Sequence, residues 1–213
     1  MNINKTAFFV IYIIMLFASC SQVINADDFA VTKPVSQTHE QDEDVKYKTH
    51  YKNHEYLFSF SIPDDLICLG DPPPFPNHGC RINLSETPES YIWIAAYYNS
   101  TDSLTPSDRF LRNLDSFVKE GMEITVLKRT DFPIAGLEGE RFTISYRESN
   151  NHNKTESTVQ DEVIAFRNIK GYGEIIYTIG LITPTSRHQK DKNIFDKILK
   201  LWTTDNLSKL QDK

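Results

Sequence analysis

Residues 56–65 read YLFSFSIPDD, and the fold class turns on this stretch. Tyr56, Phe58, Phe60 and Ile62 alternate with Leu57, Ser59 and Ser61. Successive side chains of a strand point to opposite faces, so the alternation predicts a strand with one strongly apolar face. Pro63-Asp64-Asp65 supplies the turn that ends it. The same period recurs downstream, where Phe142, Ile144 and Tyr146 alternate with Arg141, Thr143 and Ser145. Residues 91–98 (YIWIAAYY) are apolar on both faces, as a central, fully covered strand requires. Further strands are expected over 123–128, 140–147, 159–167 and 173–182, and the Asn-rich run 149–155 reads as an exposed hairpin loop.

Two helices interrupt these strands. Thr105 is placed to cap the first, with Pro106 at its first position and Asp108 near the positive end of its dipole. Phe110, Leu111, Leu114, Phe117 and Val118 share one face, and Gly121 stops it. The second begins near Ser186 and carries Ile194, Phe195, Ile198, Leu199 and Trp202 on one side. An amphipathic helix needs a surface on which to bury its stripe. The expected class is therefore α+β, a mostly antiparallel sheet covered by two helices.

Upstream of the sheet, Lys5 precedes an apolar run over 7–18. That run is too short to span a membrane, which takes about twenty residues, and has the length of a signal-peptide core. It ends in Phe17-Ala18-Ser19-Cys20, which resembles the lipobox of bacterial lipoproteins, although Phe17 stands where an aliphatic residue is usual. The resemblance implies a signal peptide over 1–19 and a lipid on Cys20. Ordinary cleavage after Ala26 is the other reading. Ser21, not Asp, follows the cysteine, which by resemblance to enteric lipoproteins implies the periplasmic face of the outer membrane. Residues 20–48 are polar and acidic and read as a flexible tether, 49–204 as the α+β domain and 205–213 as a polar tail.

The chain has three cysteines. With Cys20 lipidated, Cys68 and Cys80 remain as a pair in an oxidising compartment, where a disulfide is expected; two buried thiols are the alternative. The whole chain carries a net charge of −6, and loss of Lys5 with the leader makes it one more negative. No basic cluster stands out, which argues against nucleic acid.

Between those cysteines runs CLGDPPPFPNHGC, residues 68–80. Its prolines make it stiff, so a loop presenting Asp71, Phe75, Asn77 and His78 loses little entropy on binding and suits protein recognition. A rigid crossover that protects a sheet edge is the competing reading.

The order of elements resembles the PsbP/DcrB-like superfamily. Phe60-Ser61-Ile62-Pro63-Asp64-Asp65 is similar to its opening strand and turn, and Gly136-Leu137-Glu138-Gly139-Glu140-Arg141 to its hairpin turn. A late strand after Gly171-Tyr172-Gly173 then leads to a terminal apolar helix, here 194–202. The segment 68–80 is not part of that pattern. The resemblance implies a scaffold that binds other proteins and has no shared catalytic site.

Signs of chemistry are sparse. Asp71, His78 and the distant His54 are the nearest approach to a zinc set, but there is no His-x-His and no Cys-x-x-Cys. A Gly-x-Ser-x-Gly elbow is missing too. The expected function is therefore a lipid-anchored, non-enzymatic envelope protein that binds another protein and needs no metal or cofactor. Its roles would be immunity against a cationic secreted toxin or service as an accessory factor of an envelope complex. A small-ligand carrier or envelope enzyme is the contrasting expectation.

Overall fold

The alternation at 56–62 yields a shorter strand than its period predicts, β3 (Phe58–Ser61). The Asn53 side chain explains the late start. Its Oδ1 accepts from the backbone N–H of Glu55 at 3.1 Å and of Tyr56 at 2.8 Å, folding 54–57 into a turn in which Leu57 adopts a φ of 58°. Tyr56, Phe58, Phe60 and Ile62 are nevertheless all buried, so the apolar face forms as read. β3 lies between β2 (His50–Asn53) and β11 (Thr203–Thr204) in a three-stranded antiparallel sheet.

The computed structural model describes residues 45–70, 78–100, 102–148, 156–170 and 173–205. The chain divides into two units, Met1–Glu40 and Gln41–Lys213, and all described elements and both hydrophobic clusters belong to the second. Cys20 and the leader lie outside the described residues.

An eight-stranded antiparallel sheet forms the body of that unit. Its members are β1 (Val45–Tyr47), β4 (Cys68–Gly70), β5 (Gly79–Glu86), β6 (Glu89–Tyr98), β7 (Met122–Asp131), β8 (Gly139–Glu148), β9 (Thr158–Ile169) and β10 (Gly173–Pro184). Across the sheet they run β1-β4-β5-β6-β10-β9-β8-β7. Residues 45–48 correct the expected tether, because Val45–Tyr47 is an edge strand paired with β4. The Tyr47 ring packs edge-on against Tyr51 at 4.8 Å and covers Gly70, where a Cβ would come within 2.9 Å of it. One Val and one Tyr around a Lys are too weak a signal to stand out beside the acidic run that precedes them.

Helix α1 (Pro106–Lys119) begins as expected, with the Thr105 hydroxyl accepting from the Asp108 N–H at 3.1 Å. Its axis follows β8, stacking Phe110 on Phe142 at 4.0 Å and Phe117 on Tyr146 at 5.6 Å. Leu111 and Val118 depart from the expected buried face, being 56% and 62% exposed. The sheet ends one strand beyond β8, at β7, so the outer flank of α1 has little beneath it.

On the opposite face, a 3₁₀ turn (Thr185–Arg187) leads into α2 (His188–Leu201), which buries Phe195, Ile198 and Leu199. Trp202 lies past the helix end in extended backbone, stacked on Phe58 at 6.0 Å. Two polar clusters pin α2 to the sheet. Asp191, fully buried, accepts from the Ser90 and Thr183 hydroxyls at 2.7 Å each and from Arg187 at 3.1 Å. Arg141 forks onto Asp161 at 2.7 and 2.6 Å and reaches Asp196 at 2.9 Å. Buried charges are tolerable only when paired in this way.

β6 corrects the expectation of a strand covered on both faces. Ile92, Ile94 and Ala96 are buried, whereas Tyr91, Trp93 and Tyr97 on its other face are half-buried. α1 packs over β7, β8 and β9 and leaves this half of the sheet more open.

Candidate functional site

The proline-rich segment does not stand outside the sheet. Its ends are β4 and β5, paired with Leu69 opposite Arg81 and Gly70 opposite Cys80. Cys68 and Cys80 are joined by a disulfide with Cα atoms 5.6 Å apart, running diagonally between the two strands, and Cys68 is fully buried. Closing a loop of this length stabilises the fold by about 3 kcal/mol. Asp71, Phe75 and Asn77 lie outside the described residues. His78 is described, and its ring is engaged with the domain. Nδ1 sits 3.0 Å from the Tyr56 hydroxyl oxygen and 3.2 Å from the Ala96 carbonyl oxygen, and the imidazole stacks on Tyr56 at 5.5 Å. Its own carbonyl accepts from the Ala96 N–H at 2.8 Å. Burial, reinforced by the neighbouring Glu55 carboxylate, pushes the Tyr56 phenol up, so it stays a neutral hydrogen-bonding group. His78 thus ties the chain just before β5 to β6 and to the 54–57 turn.

The α1 side of the same hairpin carries an aromatic row. The Arg81 guanidinium lies 3.7 Å over the Tyr91 ring, donating to Asn83 at 2.7 Å and to Glu89 at 2.6 Å. Beside it Trp93 lies across Gly180 of β10, where a Cβ would fall 2.0 Å from the indole. Gly180 in turn faces Glu162 of β9, which is 1% exposed. Gln160 donates to Glu162 at 3.0 Å, while the Gln160 side-chain oxygen is buried with no partner among the described residues. Burial raises the Glu162 carboxyl to about 7, against the smaller opposing pull of Gln160 and Arg109. Arg109 donates to the Tyr97 hydroxyl at 3.1 Å, which also meets Thr178 at 3.1 Å. Burial also pushes the Tyr91 and Tyr97 phenols up, despite the adjacent arginines.

Of the residues singled out in the sequence, the structure joins Cys68 to Cys80 and His78 to Tyr56. His54 is exposed in the turn after β2, and His50, four residues earlier, is exposed on that strand. Spacing of four turns two histidines toward one metal on a helix, not along an extended segment. Sequence reasoning missed Glu162, although a signal was present. Gly180 interrupts an apolar strand, and glycine there marks close approach of another group.

The layout, an antiparallel sheet with one helix on each face, is that of PsbP-like proteins. No protein-family model and no curated protein matches the chain. Among solved structures, cyanobacterial PsbP (CyanoP) from Synechocystis superposes with a TM-score of 0.50 at 13% identity, covering 81% of this chain and 99% of that one. LpqN of Mycobacterium tuberculosis, involved in cell envelope biogenesis, superposes with a TM-score of 0.51 at 10% identity, covering 76% and 92%. At such identities the likeness is one of fold.

Proposed function

We propose that this chain is an exported envelope protein, anchored by lipid on Cys20, that acts without catalysis by binding another protein through its bridged segment 68–80. The observation that carries this reading is the Cys68–Cys80 bridge, which ties together the two ends of a proline-rich segment. Bracing lowers the entropy lost when a loop is held by a partner. A disulfide is also at home in an exported chain, in keeping with the apolar leader. Asp71, Phe75, Asn77 and His78 are the proposed contacts, His78 being half-buried and hydrogen-bonded to Tyr56 at the foot of the segment. A cationic toxin neutralised at this segment, or a component of an envelope complex, fits the acidic balance of the chain.

The test is affinity capture of the tagged full chain from envelope extracts and competitor cells, beside Phe75→Ala/Asn77→Ala and Cys20→Ala. One dominant partner lost in the double variant, and release from membranes in the Cys20 variant, are the expected results. Capture of no protein by a folded, bridged chain refutes the reading and directs the search to small ligands.

A further inference from the structure

We infer that β7 is a self-pairing edge, through which two copies of this chain join their eight-stranded sheets into one. β7 has β8 on one side and no strand on the other among the described residues. Exposed large apolar side chains gather there: Val126 and Leu127 on the strand, 52% and 56% exposed, with Leu111 and Val118 on α1. At 100° per residue Leu111 and Val118 share a flank of α1 opposite Arg109. Arg109 reaches inward to Tyr97 of β6, so that flank lies toward β7. Val126 pairs with Ile144, a residue of the α1-side cluster, which puts its side chain on the same face. An apolar strip therefore runs along an unpaired strand edge, a combination that soluble proteins normally avoid.

Charge and register name a second copy as the occupant. Leu127 is already bulged out of the pairing with β8. With it set aside, β7 turned antiparallel to itself about Thr125 places Ile124 opposite the partner's Val126 on the α1 face. On the other face it places Glu123 opposite the partner's Lys128. Each contact occurs twice by symmetry, as an isologous interface requires. Lys128 is exposed and makes no ion pair among the described residues, so it has a charge to offer. Glu123 holds Arg147 through one carboxylate oxygen at 2.5 Å. Neighbouring registers are worse. Centring on Ile124 keeps the faces but sets Glu123 opposite Thr125 and Lys128 opposite Gly121, outside the strand, so the ion pair is lost. Centring on Glu123 sets like charges face to face, and centring on Val126 sets Arg129 against Ile124. A one-residue slip turns the apolar side chains to the wrong face. A bulge and a lysine usually guard an edge against pairing; here they admit one register.

The test uses residues 41–213, the unit that holds both hydrophobic clusters, studied by light scattering and sedimentation. We expect a concentration-dependent dimer. Glu123→Lys and Lys128→Glu should each weaken it about tenfold or more, and the double reversal should restore it. Thr125→Cys supplies the only unpaired thiol of this unit, at the two-fold axis. Directly opposed Cα atoms lie about 4.5–5.5 Å apart, within disulfide reach, so mild oxidation should trap a covalent dimer. Absence of that cross-link, or a dimer indifferent to both single reversals, overturns the inference. The thiol variant also decides the case in which a charge variant folds poorly.

Discussion

Glu162→Gln is the perturbation that most directly tests the reading of the buried α1-side cluster. The carboxyl is raised from its ordinary 4.5 to about 7 because it is buried, with Gln160 as its hydrogen-bond donor. The folded state thus binds this proton more tightly than the unfolded chain. The associated stability is fully present below pH 4.5 and is lost as pH rises through 4.5 to about 7. At 1.36 kcal/mol per pH unit the loss is about 3 kcal/mol, of which about 2 falls between pH 5 and pH 8. Glutamine keeps the shape and cannot ionise, so the variant should gain on the wild type by that amount across the same interval. Urea unfolding of both proteins at each half pH unit from 5 to 8 measures it, and other titrating groups cancel in the difference. A difference that stays flat within about 0.5 kcal/mol, or that favours the wild type as pH rises, would refute the burial account.

Gly180→Ala should destabilise by about 1–3 kcal/mol and shift the tryptophan emission, because the new methyl occupies the space of the Trp93 indole. Adding Trp93→Leu should recover much of that loss in thermal melts. Replacing Cys68 and Cys80 by serine should cost about 3 kcal/mol in urea unfolding, and the wild type should take up no alkylating reagent at these positions until reduced. Asp191→Ala strands the Ser90 and Thr183 hydroxyls and leaves Arg187 without its partner, for a loss of about 3 kcal/mol or more and greater exchange of α2 amides.

Much of the α+β architecture could be read locally. Alternating apolar residues placed β3 and β8, and a continuous apolar run placed β6, although β3 begins later than its pattern because Asn53 diverts the backbone into a turn. The Thr105 cap and Pro106 placed α1. Edge strand β1 and the strand residues at both ends of 68–80 were hidden, because short strands carry too few residues to show a period. The candidate site was half legible. The cysteine pair was visible in the sequence, whereas Glu162 looked like any polar residue of a strand.

By itself, the sequence determined which residues alternate, where the first helix is capped, that two cysteines stand 12 residues apart, and that an apolar run covers residues 7–18. Those are local properties, decided by side-chain spacing and backbone preference. Which faces are covered was decided by tertiary structure alone. β10 lies between β6 and β9, and α1 lies along β8. That arrangement leaves Leu111, Val118 and Val126 exposed at an edge, half-opens the Trp93 face, and closes over Glu162. An apolar stripe states only that it must be buried; strand order, set by pairings between residues far apart in the chain, states against what.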